Sequence, residues 1–277
     1  MTRLSLTEFK ARYGPWALVA GASEGLGEAF AEQIAQLGLN VALVARREAL
    51  LDSLRDRLTG AYGVEVRTIP LDLAREDAPA VIAGALADVE VGLMVYNAAL
   101  SIIGPFLERP LADHHAEIAI NCQAPMSLAY SFGQQMRPRG RGGIILMSSL
   151  SALQGSANIA NYTATKAYNM ILAEGLWEEL RFSGVDVLAC CAGAVSTPGY
   201  LSSLSDSPSK GSPAGAMMPK AVVVQTLAAL GKQGSFFPGF NSKAAAFFMR
   251  RLMPHRLAVQ VMGRVMRQMY GSSSTQP

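Results

Sequence analysis

The chain has 277 residues, 50% of them hydrophobic and 16% charged, which supplies a large core and excludes a disordered chain. Its net charge of +3, from 24 basic and 21 acidic residues, is too small an imbalance for a nucleic-acid binder; most of the basic excess sits between Lys243 and Arg267. Three cysteines cannot form a disulfide framework. Cys190 and Cys191, adjacent in an expected strand, read as small core residues, and a reducing, cytoplasmic setting is expected. Met1 to Tyr13 is polar and charged, unlike a signal peptide, and no run of about eighteen uncharged apolar residues suggests a membrane-spanning helix.

In chain order, Trp16 to Ala20 is a short apolar strand running into glycines, followed by a helical pattern from Gly25 to Leu37. Asn40 to Ala45 is a buried-type strand and Glu48 to Leu58 a helix. Val64 to Pro70 alternates as a strand, Asp77 to Ala87 is helical, and Val91 to Tyr96 is a strand again. One long helix is expected over Ala112 to Met136, then a fifth strand over Gly143 to Met147. Tyr162 to Phe182 is helical, Val185 to Cys191 a strand, Ala221 to Leu230 helical, and Ser235 to Phe237 a brief last strand. Alternating strands and helices, with the strands apolar throughout, predict a single-domain, doubly wound α/β fold with a parallel sheet covered on both faces. The expected division is an N-terminal extension over 1–14, a Rossmann-like catalytic domain over 15–240 and a basic, apolar helical tail over 241–277. The stretch around 199–219, rich in Ser, Pro, Gly and Ala, is expected to be a lid.

Gly21-Ala22-Ser23-Glu24-Gly25-Leu26-Gly27 follows the first strand and opens a helix. Glycines there permit a tight turn and a close backbone approach to a pyrophosphate, and the helix N-terminus offers free N–H groups and a positive dipole end. Gly21, Ser23, Gly25, Leu26 and Gly27 are therefore expected to bind a dinucleotide. An acid at the end of the second strand would hold the ribose 2′-hydroxyl of NAD. Arg46 and Arg47 stand there instead, and Arg46 is expected to pair with the 2′-phosphate of NADP, although two solvated surface arginines are the plain alternative.

Tyr162 and Lys166 are four residues apart at the start of a helix, so they share one face. A free tyrosine, with a pKa of roughly 10, is a poor acid–base group near neutrality. A neighbouring ammonium, together with the positive nicotinamide of an oxidised cofactor, favours the phenolate and is expected to lower that pKa. Ser149 lies just past the fifth strand, at the carboxyl edge of the sheet.

With these motifs in order, the chain resembles the short-chain dehydrogenase/reductase family over Trp16 to Phe240. Gly21, Gly25 and Gly27 match its glycine turn, Asp72 the acid that contacts adenine, and Asn97-Ala98-Ala99 the segment after the fourth strand. Asn121, Ser149, Tyr162 and Lys166 match the catalytic tetrad, and Ala192-Gly193 to Thr197, with Val195, the segment at the nicotinamide end. Ala20, Ala99 and Ala192 depart from the family's usual Thr, Gly and Pro. The resemblance implies that Tyr162 exchanges a proton with the carbonyl oxygen and that Ser149 holds that oxygen. Lys166 lowers the tyrosine's pKa and binds the nicotinamide ribose, and Asn121 supports a water chain. It also implies a homodimer or homotetramer built on the two long helices.

Leu100 to Phe106, Gln154 to Asn161 and Gly199 to Met218 are expected to border the nicotinamide. Leu100, Ile102, Ile103, Phe106, Ile159, Tyr200, Leu201, Leu204, Met217 and Met218 are apolar or aromatic and Lys210 is the only base, so a hydrophobic ketone or secondary alcohol, steroid-like, aromatic or fatty-acyl, is expected. An NADP-binding sensor or scaffold of the same fold is the alternative. His114 and His115 read as a solvated helix start and no metal site is expected. Phe247 to Tyr270, mixing arginines with apolar residues, reads as a basic amphipathic helix that packs on the domain, on a subunit partner or on anionic lipid.

Overall fold

A computed structural model describes residues 5–204 and 216–270. Seven strands form one parallel sheet: β1 (Trp16–Ala20), β2 (Asn40–Ala45), β3 (Val66–Pro70), β4 (Val91–Tyr96), β5 (Gly142–Ser149), β6 (Val185–Ala192) and β7 (Ser235–Phe236). Their order is β3-β2-β1-β4-β5-β6-β7, so the topological switch lies between β1 and β4, where doubly wound folds open a crevice at the strands' carboxyl ends. The helices are α1 (Leu6–Tyr13), α2 (Gly25–Gln36), α3 (Glu48–Tyr62), α4 (Ala78–Ala85), α5 (Leu111–Ile118), α6 (Ala124–Arg139), α7 (Ala160–Leu180), α8 (Pro198–Leu204), α9 (Pro219–Ala229), α10 (Phe240–Arg251) and α11 (His255–Tyr270).

Strand side chains alternate between two core layers, as the two-residue period of a strand requires. Val19, Leu43, Val95 and Ile145 meet Phe30, Ile34, Leu51 and Val222 of α2, α3 and α9 on one face. Leu18, Val44, Met94 and Leu146 meet Ile82, Leu128, Phe132 and Met170 of α4, α6 and α7 on the other. Cys190 and Cys191 are fully buried on opposite faces, and burial pushes both thiols up to about 12.

Three elements differ from the sequence expectation. The helix expected over 112–136 is α5 and α6 joined by a π-turn at Ala119–Gln123, in which Asn121 is buried. The polar N-terminus forms α1, closed by a capping box between Ser5 and Glu8. Its two buried residues, Phe9 and Tyr13, are one turn apart, each contributing roughly 1.5–3 kcal/mol. Tyr13 Oη donates to Asp186 (2.7 Å) at the base of β6, beside the Arg12–Asp186 ion pair. The tail is two helices rather than one, because Pro254 lacks the N–H that would continue α10 into α11.

Candidate functional site

The glycine turn folds where β1 meets α2. Gly21 and Gly25 have φ of +84° and +64°, a region other residues enter only with strain. At Gly27 the constraint is space: a Cβ would fall 1.8 Å from the Gly21 carbonyl oxygen. Asn97, at the end of β4, donates from Nδ2 to that same carbonyl (2.9 Å) and ties the turn to the switch point. Leu26 occupies the second position of α2, whose N-terminus carries no side-chain cap, so its amides and dipole face the crevice. These residues therefore fit a dinucleotide pyrophosphate: backbone close enough to approach, with open N–H groups. Ser23 and Glu24 are bound by Arg47, at 3.0 and 2.9 Å, and Arg46 is exposed beside them. Sequence reasoning chose Arg46 alone; the tie from Arg47 back to the turn is a tertiary contact that spacing does not reveal. Asp72, just past β3, caps its own loop by accepting from the Ala74 amide (3.0 Å). Val195 bridges to Met217, and Thr197 packs on the turn, 3.1 Å from where a Gly25 Cβ would lie.

Ser149 ends β5, and its Oγ accepts from the Ser151 amide and hydroxyl. Tyr162 and Lys166 project from the first two turns of α7, with the Lys166 ammonium 5.6 Å from the centre of the Tyr162 ring. The ammonium is buried and donates to the Met147 carbonyl (3.0 Å). Burial pushes it down to about 8. The Tyr162 hydroxyl is pushed up to about 12, first by burial and then by Tyr270 and Glu117, with a hydrogen bond to Ser149 acting the other way. In the protein alone desolvation outweighs the hydrogen bond with Ser149, the reverse of the lowering expected from the sequence for the oxidised-cofactor complex. A neutral phenol is the form that can give a proton.

Asn121 sits in the π-turn. Its Oδ1 accepts from the Leu100 amide (2.8 Å), and its Nδ2 donates to the Leu100 carbonyl and to Thr165 Oγ1. Its own carbonyl accepts from Asn169 Nδ2 (2.9 Å).

One turn earlier, Glu117 is fully buried and repeats the pattern: Oε1 accepts from the Ile102 amide (3.1 Å) and Oε2 from Asn161 Nδ2 (2.6 Å). Glu117 and Asn121 on one side, with Asn161, Thr165 and Asn169 spaced four apart on α7, make a polar ladder beside Tyr162 and Lys166. Burial raises Glu117 above the ordinary carboxylate range, against those hydrogen bonds and the pull of His114 and Lys166. Sequence reasoning missed Glu117; its signal is an acid one turn before Asn121 on the same helix face.

His114 is buried rather than solvated: its ring stacks on Phe106 at 4.2 Å, with Nε2 3.0 Å from the Phe106 carbonyl. Among the described residues no group of three or more His, Cys, Asp or Glu side chains could hold a metal. Ile159 is buried, and Leu100, Ile102, Ile103, Tyr200 and Met217 are partly so. Met218 is exposed. Lys210 and the side chain of Leu204 lie outside the described residues. Gln154 and Ser156, in the loop after Ser149, are buried with side-chain atoms unpartnered among the described residues, hydrogen-bonding capacity that a bound molecule or water can meet. Tyr270, at the end of α11, interacts electrostatically with both Tyr162 and Tyr200, so the tail borders the site, a role the sequence reading did not give it.

Residues 15–206, more than half of the chain, match the family model described as short chain dehydrogenase. A 7beta-hydroxysteroid dehydrogenase of Clostridium sardiniense is 32% identical over 231 residues, covering 83% of this chain and 88% of the relative. A very-long-chain 3-oxoacyl-CoA reductase of Laccaria bicolor is 34% identical over 187 residues, covering 66% of this chain and 55% of that protein. A solved structure of a 7beta-hydroxysteroid dehydrogenase superposes with a TM-score of 0.86 at 29% identity, over 92% of this chain and 99% of the other. A short-chain dehydrogenase from Sphingobium yanoikuyae in complex with NADPH gives a TM-score of 0.73 at 25% identity, over 95% and 98%.

Proposed function

We propose that this chain, which belongs to the short-chain dehydrogenase family, is an NADP(H)-dependent oxidoreductase that interconverts hydrophobic ketones and secondary alcohols. The observation that carries the reading is the meeting of Ser149, Tyr162 and Lys166 at the carboxyl end of β5, beside the glycine turn at the switch point. The nicotinamide supplies or accepts the hydride when bound. The chain's own residues do the rest. Ser149 Oγ holds the substrate oxygen and donates to it as negative charge builds there during reduction. Tyr162 gives that oxygen its hydroxyl proton, for which its neutral state is suited, and takes the proton back in the oxidative direction. Lys166 keeps a cation beside the phenol and stabilises the phenolate left behind, while the carbonyl of Asn121 holds the water that returns the proton.

Exposed Arg46, at the end of β2 where an acid would serve NAD, supports the choice of NADP. Arg47 braces the same turn through Ser23 and Glu24. The apolar rim of Ile102, Ile103, Ile159 and Met217 supports a lipophilic substrate, and the 7beta-hydroxysteroid dehydrogenase relative makes a steroid-like ketone the first to test. The test is NADPH absorbance against ketosteroids, 3-oxoacyl thioesters and aromatic ketones of increasing apolar size. Catalytic efficiency is expected to rise along the series; a flat trend, or a preference for polyhydroxylated compounds, would remove the substrate assignment.

A further inference from the structure

The two C-terminal helices pack on the domain through one face each, with Ser242 and Ala246 of α10 and Ala258 and Gly263 of α11 buried. Their other face is uncovered among the described residues. On α10, Phe240, Ala244, Phe247, Phe248 and Arg251 fall within one exposed arc of the helix. The three phenylalanines are 84%, 62% and 48% exposed and share one face, a contiguous apolar patch rather than scattered single residues. Leu252 and Leu257 extend this surface around the turn into α11.

The charge beside it has a single sign. No aspartate or glutamate follows Asp206, whereas α10 and α11 carry Lys243, Arg250, Arg251, Arg256, Arg264 and Arg267. Arg250 reaches back to Glu174 and Phe237, and Lys243 to the Phe236 ring. Among the described residues no carboxylate lies within ion-pair distance of Arg251, Arg256, Arg264 or Arg267. A second copy is poorly matched to this surface, because a two-fold contact would set arginine against arginine with no local acid between them. A surface that is both apolar and negative is well matched.

We propose that the outer face of α10 and its turn into α11 docks this protein on the surface of an anionic lipid bilayer. The aromatic rings enter the headgroup boundary while Arg251 and Arg256 pair with lipid phosphates. No described helix is long and apolar enough to cross a membrane, so this is attachment in the plane of the interface. α11 leads from that corner to Tyr270, which acts electrostatically on Tyr162, so the helix next to the docked face borders the reaction site.

The experiment is co-sedimentation of the full chain with vesicles of phosphatidylcholine alone and of phosphatidylcholine mixed with phosphatidylglycerol. Binding is expected to the mixed vesicles only, and is expected to weaken in about 1 M salt, where charges more than ~3 Å apart are screened. The double variant Phe247→Ser/Phe248→Ser is expected to weaken it at least tenfold, as is Arg251→Glu/Arg256→Glu, with melting temperatures unchanged because these side chains are exposed. No binding to mixed vesicles would overturn the proposal, as would binding indifferent to both variants. Self-association that the phenylalanine variant abolishes, without vesicle binding, would assign the face to a second copy instead.

Discussion

Replacing Lys166 by methionine should make the protein more stable near neutral pH while destroying its activity. In the folded chain burial pushes the ammonium from its ordinary 10.5 down to about 8. At ~1.36 kcal/mol per pKa unit, burying the charged form costs about 3 kcal/mol. The sign follows from proton binding. Between about pH 8 and 10.5 the unfolded chain keeps a lysine proton that the folded chain has lost, so wild-type stability rises with pH across that window. Below the window the full cost is present; above it the cost is gone. Methionine fills a similar volume without charge, but loses the Nζ hydrogen bond to the Met147 carbonyl, a net ~1 kcal/mol. The variant should therefore exceed wild type by about 2 kcal/mol near pH 7 and fall about 1 kcal/mol below it near pH 10.5. Tyr162 and the buried thiols titrate in both proteins and cancel to first order. Urea unfolding followed by tryptophan fluorescence at several pH values measures the difference. A constant difference between wild type and variant across that range would refute the reasoning.

Other outcomes follow from the same geometry. Glu117→Gln removes a charge that disfavours the Tyr162 phenolate, so the pH at which alcohol oxidation rises should move to lower pH; an unmoved profile would remove Glu117 from the electrostatics of the site. Glu117→Leu leaves the Ile102 amide without its acceptor, at about 1–3 kcal/mol, and takes from Asn161 Nδ2 the shorter of its two hydrogen bonds, read as a lower melting temperature. Arg46→Asp should weaken NADPH binding about ten- to a hundredfold and spare NADH; equal affinity of the unaltered protein for the two would sink the choice of NADP. The exposed faces of α6 and α7, with Tyr130 and Ile171, are proposed to pair between subunits, so light scattering should give a multiple of 29.4 kDa at micromolar concentration.

Much of this molecule could be read from the chain because its local signals agree with its global fold. Each inner strand is a short apolar run bounded by turn residues, and the glycine turn appears where the first of them ends. The Tyr162 and Lys166 spacing is a helix repeat, visible without coordinates. What escaped depends on contacts distant in sequence. Helix α1 looked polar because only Phe9 and Tyr13 reach the core. The π-turn at Asn121 leaves no compositional mark, since a bulge of one residue keeps the apolar pattern on either side in view. His114 looked solvated next to Asp113, and is buried only because Phe106 folds back over it. Glu117 escaped because Asn161 and Ile102, which hold it, come from a helix and a loop that only the fold brings together. Pro254 was a visible stop signal, passed over because the residues around it share one amphipathic composition.

The central claim is that the Tyr162 hydroxyl carries the proton that accompanies hydride transfer. Single-turnover oxidation of NADPH by Tyr162→Phe, on a ketone that the wild-type protein reduces, tests it most directly. Only one oxygen is removed, so NADPH binding and melting behaviour should be unchanged while the rate of hydride transfer falls ~10²–10⁴-fold. A variant that binds NADPH and reduces the ketone at the wild-type rate would contradict it.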